Sequence, residues 1–463
     1  MKATRPTQDG IIGKSFGNES SASTPWRPIH YLGSKLRALS SVEQAVNALA
    51  APGDRVYDLF AGSGTVARWL ARSRPVTSID VQEYSRVICS ALLNPARIDI
   101  GAVEQSLADA ISISSQSGSL FVAEPLIELE IEAMDRAAKG DLNLLADLLD
   151  AGSILTNAPL SSNSEVKTAF KEARRRLDIL ASSPTTATMA LRHFGGLYFS
   201  FRQAAEIDTI LSLAHSRSAN QKDILLAAAL SCASELVNTI GKQFAQPIRP
   251  RNKDGVIKRG LYGQVARDRL LVASQVYITC LSKYASLPTL QQSSFALRSD
   301  YLDFLASADF DGGVVYADPP YTRDHYSRFY HVLETMSLFD DPQISSNTAK
   351  GKTNLSRGAY RAERHQSPFC IKSQAPAAFD SMFSLVSRRG SPIIVSYSPY
   401  SVEKNAHPRV MTMDGIREIA SRHYADVGVL SVGDFSHSRL NRIGLNKEIG
   451  KEAELLIICR SPR

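Results

Sequence analysis

The chain has 463 residues, 44% of them hydrophobic and 21% charged, the proportions of an ordinary soluble globular protein with room for two domains or for one domain carrying a large insertion. A net charge of +7 leans toward an anionic partner, and no run of about 18 apolar residues marks a membrane span. Five widely spaced cysteines, without a Cys-x-x-Cys pair or a cluster with histidine, exclude a zinc ribbon or disulfide scaffold; they predict reduced, buried thiols in a cytoplasmic protein with no metal site.

Residues 1–25 are rich in Ser, Thr and Gly, lack a hydrophobic signal core, and read as a flexible leader. Tyr31-Leu32-Gly33-Ser34-Lys35 then precedes a helical stretch from Leu36 to Leu49. An aromatic, a glycine and a lysine in this order can enclose and neutralise a carboxylate, although alone they are also a common way to begin a helix. Next comes a strand, Arg55 to Asp58, then Leu59-Phe60-Ala61-Gly62-Ser63-Gly64 and a helix opening at Thr65. Glycines let the backbone turn sharply and approach a ligand at the end of a parallel strand. The following strand, Val76 to Ile79, ends in Asp80, whose carboxylate can accept both hydroxyls of a ribose diol. Strand, glycine loop, helix and acid at this spacing point to an adenosine-containing cofactor. The third glycine of a dinucleotide fingerprint is missing, with Ala67 or Arg68 near its place, and no Gly-Lys-Ser/Thr run occurs. S-adenosyl-L-methionine, which has adenosine but no phosphate, suits the shorter loop.

Between this half-site and the next motif lie roughly 150–190 residues more than two strands and two helices need, enough for a domain. The span 99–289 reads mainly helical, with helices predicted over Asp223 to Ile240 and Gln264 to Tyr284. Tyr198 to Gln203 reads equally as a packed strand or as the start of a helix. Charge is uneven. Glu124 to Asp150 holds eight acids and two bases, whereas Gly241 to Leu270 holds eight bases and two acids, and Lys350 to Lys372 six bases and one acid. Bases interleaved with Gly, Pro and Tyr fit phosphate contact. Arg249, Arg251, Lys258 and Arg259, in and after the loop Gln246 to Arg251, are the expected contacts.

The apolar run Gly313 to Ala317 predicts a buried strand ending at Asp318-Pro319-Pro320-Tyr321. Two prolines fix φ and cannot continue the strand, so the loop leaves the sheet stiffly. It carries the Asp318 carboxylate, the Pro319 carbonyl and the Tyr321 ring together: two acceptors for amino hydrogens and a stacking surface, as a flat amino-bearing base requires. In the mixed segment that follows, Arg323, His325 and Tyr326 are expected in the site, and Phe329, Leu333 and Met336 in the core. No Pro-Cys pair occurs, which argues against the thiolate chemistry of cytosine-C5 methylation.

Tyr31-x-Gly33-x-Lys35, then Asp58-x-Phe60-x-Gly62-x-Gly64, a long gap, and Asp318-Pro319-Pro320-Tyr321 resembles the DNA N6-adenine methyltransferases of the Dam-like (alpha) group. The resemblance covers about residues 26–98 and 290–463. It implies an α/β fold, the Rossmann-like sheet of class I S-adenosylmethionine-dependent methyltransferases, with 99–289 as an inserted, mainly helical target-recognition domain. It implies that Tyr31, Lys35, Asp58, Phe60, Gly62, Gly64 and Asp80 hold S-adenosyl-L-methionine. Asp300-Tyr301, after a strand Ser294 to Arg298, would meet the cofactor adenine, with Tyr301 where Phe is usual. Asp318 matches the catalytic acid and Tyr321 the base-stacking aromatic. Ile393 to Tyr397 and Glu454 to Ile458 would be later strands. The implied reaction is methyl transfer to N6 of a flipped-out adenine. RNA would present the same amino group, and a DNA-binding regulator on a retired fold would share the motifs; the basic insertion makes DNA, expected as duplex, the favoured partner. The family also brings a restriction or defence-system partner into view, while recognition sequence and oligomeric state are not legible.

Overall fold

In the computed structural model the described residues are 26–31, 33, 35–156, 163–180, 184–323, 326–349, 352–398, 409–432 and 454–463. Five of the seven strands of the central sheet are parallel; the four inner ones, at Val56–Leu59, Val76–Asp80, Val314–Ala317 and Ile393–Tyr397, are almost wholly buried, as strands covered on both faces must be, and the edge strand at Phe295–Arg298 is partly exposed. In chain order the strands are β1 Val56–Leu59, β2 Val76–Asp80, β3 Phe295–Arg298, β4 Val314–Ala317, β5 Ser346–Ala349, β6 Lys352–Leu355, β7 Ile393–Tyr397, β8 Tyr424–Ser431 and β9 Leu455–Pro462. The sheet order is β3-β2-β1-β4-β7-β9-β8, with β9 antiparallel to both its neighbours; β5 and β6 form a separate antiparallel pair. Chain order reverses between β1 and β4, so the loops after these two strands diverge and open a crevice at their carboxyl ends.

Alternation along the strands divides the core. Tyr57, Leu59, Val315, Ala317, Ile393, Val395, Ile457 and Cys459 face one layer. Its helices are α13 (Tyr301–Ala306), α16 (Ala375–Arg388) and α17 (Met413–His423). Val56, Val314, Tyr316, Ile394, Leu456 and Ile458 face the other, beneath α1 (Leu39–Asn47) and α2 (Thr65–Leu70).

The remaining helices are α3 (Glu83–Leu93), α4 (Ile100–Ser117), α5 (Ser119–Ala138), α6 (Asn143–Ala151), α7 (Ser164–Ile179), α8 (Met189–Phe194), α9 (Phe201–His215), α10 (Ala219–Leu236), α11 (Leu261–Arg269), α12 (Ala273–Ala285), α14 (Tyr326–Phe329) and α15 (His331–Leu338). The series α4 to α12 buries its apolar residues in one cluster with Val87 and Ile88 of α3 and Val332, Leu333 and Met336 of α15. The inserted helices therefore rest on the helix that follows Asp80 and on one that follows the Asp-Pro-Pro-Tyr loop. A buried ion pair inside the insertion, Arg269 to Glu130 at 2.6 Å, is completed by a hydrogen bond from Phe201 N to Glu130 and one from Arg269 to the Gly196 carbonyl.

Tyr198 to Gln203 proves to be a helix start: Ser200 Oγ accepts from Gln203 N while the Gln203 side chain accepts from Ser200 N, a reciprocal cap on α9. The helix expected over Gln264 to Tyr284 is instead two, α11 and α12, broken at Leu270 to Val272. The buried Gln203 amide makes the break tolerable by donating to the carbonyls of Asp268 and Leu271, both at 2.9 Å. The helix expected to reach Ile240 stops at Leu236, because Asn238 turns away to bond Tyr198, Gln264 and Asp268. All five cysteines are buried and unpaired in disulfides. No helix among the described residues is long and apolar enough to cross a membrane, and no metal-ligating cluster occurs among them.

Candidate active site

Period-two alternation brings polar groups together at the carboxyl end of the sheet. Asp58 shares a face with Val56, Asp318 with Val314 and Tyr316, and Ser396 with Ile394; Glu454 precedes β9 on the face of Leu456 and Ile458. The β1–β4, β4–β7 and β7–β9 registers set these groups side by side at the carboxyl end of the sheet. Lys35, just before α1, closes over them. Its Nζ lies 2.8 Å from Asp318 Oδ2 and 2.8 Å from Glu454 Oε1, with Lys35 5% and Glu454 1% exposed. Ser396 Oγ donates to the same Glu454 oxygen. Burial alone would lower the pKa of Lys35, but the Asp318 and Glu454 carboxylates outweigh it and hold the ammonium well above its usual range. Burial pushes Asp318 up to about 6, against the pull of Lys35 and with a further push from Glu454. Asp318 Oδ1 is buried without a hydrogen-bond partner.

A cleft of about 970 Å³ runs from this carboxylate past Pro319, Pro320, Tyr321 and Tyr326 to Asp80, Asp300 and Tyr301. A smaller adjoining cavity of about 330 Å³ is lined by Tyr31, Lys35, Asp58, Phe60, Ser63 and Thr65. The loop between β1 and α2 winds through left-handed backbone: Phe60, Gly62 and Gly64 all have positive φ, which is free of steric cost at the glycines and uncommon at Phe60. A Cβ on Gly62 would sit 2.6 Å from the Tyr31 ring, so only glycine lets that ring cover the loop. Asp80 accepts from the backbone N–H of Gly62 and Gln82, one on each oxygen at 2.9 Å, which fixes its carboxylate at the cleft wall. Burial raises the pKa of Asp80. Asp58 is raised further by burial and then by Asp318 and Asp80, and its Oδ2 is buried without a partner. Phe60, Tyr301 and Phe369 pack ring to ring at 5.2–5.3 Å beside the cleft. Asp300 caps α13 through Leu302 N, and the hydroxyl that distinguishes Tyr301 from phenylalanine is buried without a partner.

These groups fit an S-adenosylmethionine-shaped ligand. Asp80 can accept from its ribose, the orphaned Asp58 oxygen from its ammonium, and the aromatic wall can take its adenine; Lys35, expected to meet its carboxylate, already pairs with Asp318 and Glu454.

Tyr321 is 7% exposed, with the Arg409 guanidinium 4.6 Å from its ring centroid and Tyr397 edge-on at 5.7 Å. Arg409 is tied down through its hydrogen bond to Ser398 and a backbone bridge to Thr322. Tyr326 lines the cleft and Arg323 an adjoining groove, while His325 lies outside the described residues. Arg249, Arg251, Lys258 and Arg259 do not line it. Arg251 differs from expectation: its guanidinium is already met by Asp147 at 2.7 Å and Asp150 at 2.9 Å, and Lys258 donates to the Arg249 carbonyl. The exposed cations of that segment are Arg249, Lys253, Lys258 and Arg259. Sequence reading missed Glu454 and Arg409. Glu454 carried one signal, an acid at the mouth of an apolar strand run; Arg409 carried none.

The family comparison falls on two stretches that carry most of the site residues. The model of the D12 class N6 adenine-specific DNA methyltransferase family matches residues 31–117 and 281–387, leaving unmatched most of the inserted helices. The resemblance drawn from motif order is thereby borne out, and so is the α/β sheet it implied. Modification methylase LlaI of Lactococcus lactis subsp. lactis is 28% identical over 155 residues, 32% of this chain and 23% of that protein. Type II methyltransferase M.NlaIII of Neisseria lactamica is 30% identical over 125 residues, 25% of this chain and 34% of the relative. Type II methyltransferase M.FokI of Planomicrobium okeanokoites is 36% identical over 87 residues, 19% and 12%. The chain thus spans about a third or less of the length of these relatives.

Proposed function

We propose, on the premise that its two matched portions belong to the D12 class N6 adenine-specific DNA methyltransferase family, that this chain methylates N6 of adenine in DNA with S-adenosyl-L-methionine as donor. The carrying observation is the state of Asp318: one carboxylate oxygen is clamped by Lys35 and the other is buried, unpartnered and beside Tyr321.

An adenine amino group is a poor nucleophile because its lone pair is delocalised into the ring. Asp318 Oδ1 and the Pro319 carbonyl accept its two hydrogens, which localises the lone pair on nitrogen. The donor supplies an electrophilic sulfonium methyl group. Tyr321 holds the base by stacking and so fixes the line of approach, where orientation supplies much of the rate. Asp318 then stabilises the positive charge that develops on N6 and is placed to receive the proton that leaves. Lys35 keeps Asp318 oriented throughout. A base inside a duplex cannot reach this depth, so the target is flipped out at a cost of a few kcal/mol, part of which the Tyr321 contact offsets. The helices of 99–289 are assigned to target recognition, with Arg249 and Arg259 as phosphate contacts, and the relatives' names favour a modification role beside a restriction or defence system.

The test is modified-base sequencing of a host genome expressing wild type or Asp318→Ala. N6-methyladenine at one sequence context with wild type alone is expected, and its absence from both genomes counts decisively against the assignment.

A further inference from the structure

Among the described residues several guanidiniums are neutralised by carboxylates: Arg86 by Asp223, Arg251 by Asp147, Arg269 by Glu130 and Arg361 by Asp340. Arg328 and Arg364 differ. Both lie against the ring of Tyr360, at 4.8 and 5.4 Å from its centroid, and Arg328 donates to the Tyr360 hydroxyl at 3.2 Å. Neither makes an ion pair among the described residues, and Arg328 Nε is buried without a partner. Burial and the charge of Arg328 lower the pKa of Arg364, so the two cations repel. Two like charges held on one rigid ring without a counter-ion are an anion site awaiting its ligand. Position says which anion. Arg328 follows Ser327, and Arg364 precedes His365 and Gln366, all three on the wall of the cleft that holds Asp318. A second cationic pair, Arg323 and Lys372, lines an adjoining groove that shares Gln366 with that wall, again without an ion pair among the described residues.

We propose that these are two phosphate stations at the mouth of the cleft, Arg328 with Arg364 and Arg323 with Lys372, which grip the backbone of the strand whose adenine enters the site. The inference rests on the DNA-methylation reading and deepens it. A flipped nucleotide remains tied to its strand, so its backbone must run past the mouth. Planar guanidinium forks match phosphate oxygens, and such contacts position the strand without reading its sequence. Specificity is then left to the inserted helices, and grip on the substrate strand resides in the catalytic portion.

The test combines two measurements on the full chain. One is the salt dependence of binding to a labelled single-stranded oligonucleotide of mixed sequence. The other is transfer of tritiated methyl groups to genomic DNA lacking N6-methyladenine. Arg328→Gln with Arg364→Gln, and separately Arg323→Gln with Lys372→Gln, should each lower the slope of log K against log salt by about 0.7, the amount for one phosphate contact on a single strand. KM for DNA should rise more than kcat falls. Arg328→Lys with Arg364→Lys keeps the charge and should restore the slope, while Arg175→Gln, taken from an exposed pair with Glu172, should leave it unchanged. Should the first double variant fail to fold, exposed Arg364→Gln alone should still lower the slope, by up to about 0.7. An unchanged slope in the neutral variants, with wild type still methylating DNA, overturns the stations and leaves the reaction standing. Loss of polyglutamate binding in place of oligonucleotide binding would give the stations to an acidic protein and equally overturn the proposal. Wild type that neither binds nor methylates DNA removes the reading, and the stations with it.

Discussion

Glu454→Gln is the substitution whose effect the geometry sets most directly. Glu454 Oε1 and Asp318 Oδ2 each lie 2.8 Å from Lys35 Nζ, so the two oxygens are at most about 5.6 Å apart. Two unit charges at that separation, with an effective dielectric constant of about 20, repel by about 3 kcal/mol, or about 2 pKa units. Asp318 is pushed to about 6 by burial, with Glu454 adding to the push. Glutamine keeps an oxygen for Lys35 and Ser396 but removes the charge, so the carboxyl should ionise about 2 units lower. Asp318 must be ionised to accept from the amino group. Activity is therefore lost as pH falls through its pKa, by tenfold per unit once well below it. In wild type the acid limb of kcat/KM for methyl transfer should lie near 6. In Glu454→Gln it should move toward 4, leaving the variant the more active of the two, relative to its own plateau, at pH 5. A folded variant whose acid limb stays near 6 refutes the assignment of that limb to Asp318 or the coupling through Lys35.

Asp80→Ala should weaken the cofactor product S-adenosylhomocysteine roughly 100-fold in calorimetric titration, from two charge-assisted hydrogen bonds of about 1.5 kcal/mol each; unchanged affinity would remove Asp80 from the ribose. Gly62→Ala places a Cβ 2.6 Å from the Tyr31 ring at a positive φ. It should cost about 1–3 kcal/mol of stability, read as a lowered Tm, and weaken cofactor binding as well. Arg269→Met leaves Glu130 buried without its cation inside the insertion. Denaturant unfolding should show a loss of about 3–5 kcal/mol, and a loss under 1 kcal/mol would mean that solvent reaches the pair.

Local chemistry was legible from the sequence, because it is written in neighbouring residues. The glycine loop, Asp80 at the end of β2 and the stiff Asp318 to Tyr321 turn each owe their form to a few consecutive backbone conformations, and their order along the chain pointed to the reaction. Apolar runs likewise marked β1, β2, β4, β7 and β9. Partnership was not legible. Whether Arg251 faces solvent or Asp147, and whether Arg328 and Arg364 have carboxylates at all, depends on helices and loops far apart in the chain. The break between α11 and α12 follows from a buried glutamine on another helix. Most telling is Glu454, which strand register, repeated across β1, β4, β7 and β9, brings to Lys35 beside Asp318. Sequence alone singled out Asp318; its charge state is set by burial and by Lys35 and Glu454, which only the closed sheet makes its neighbours.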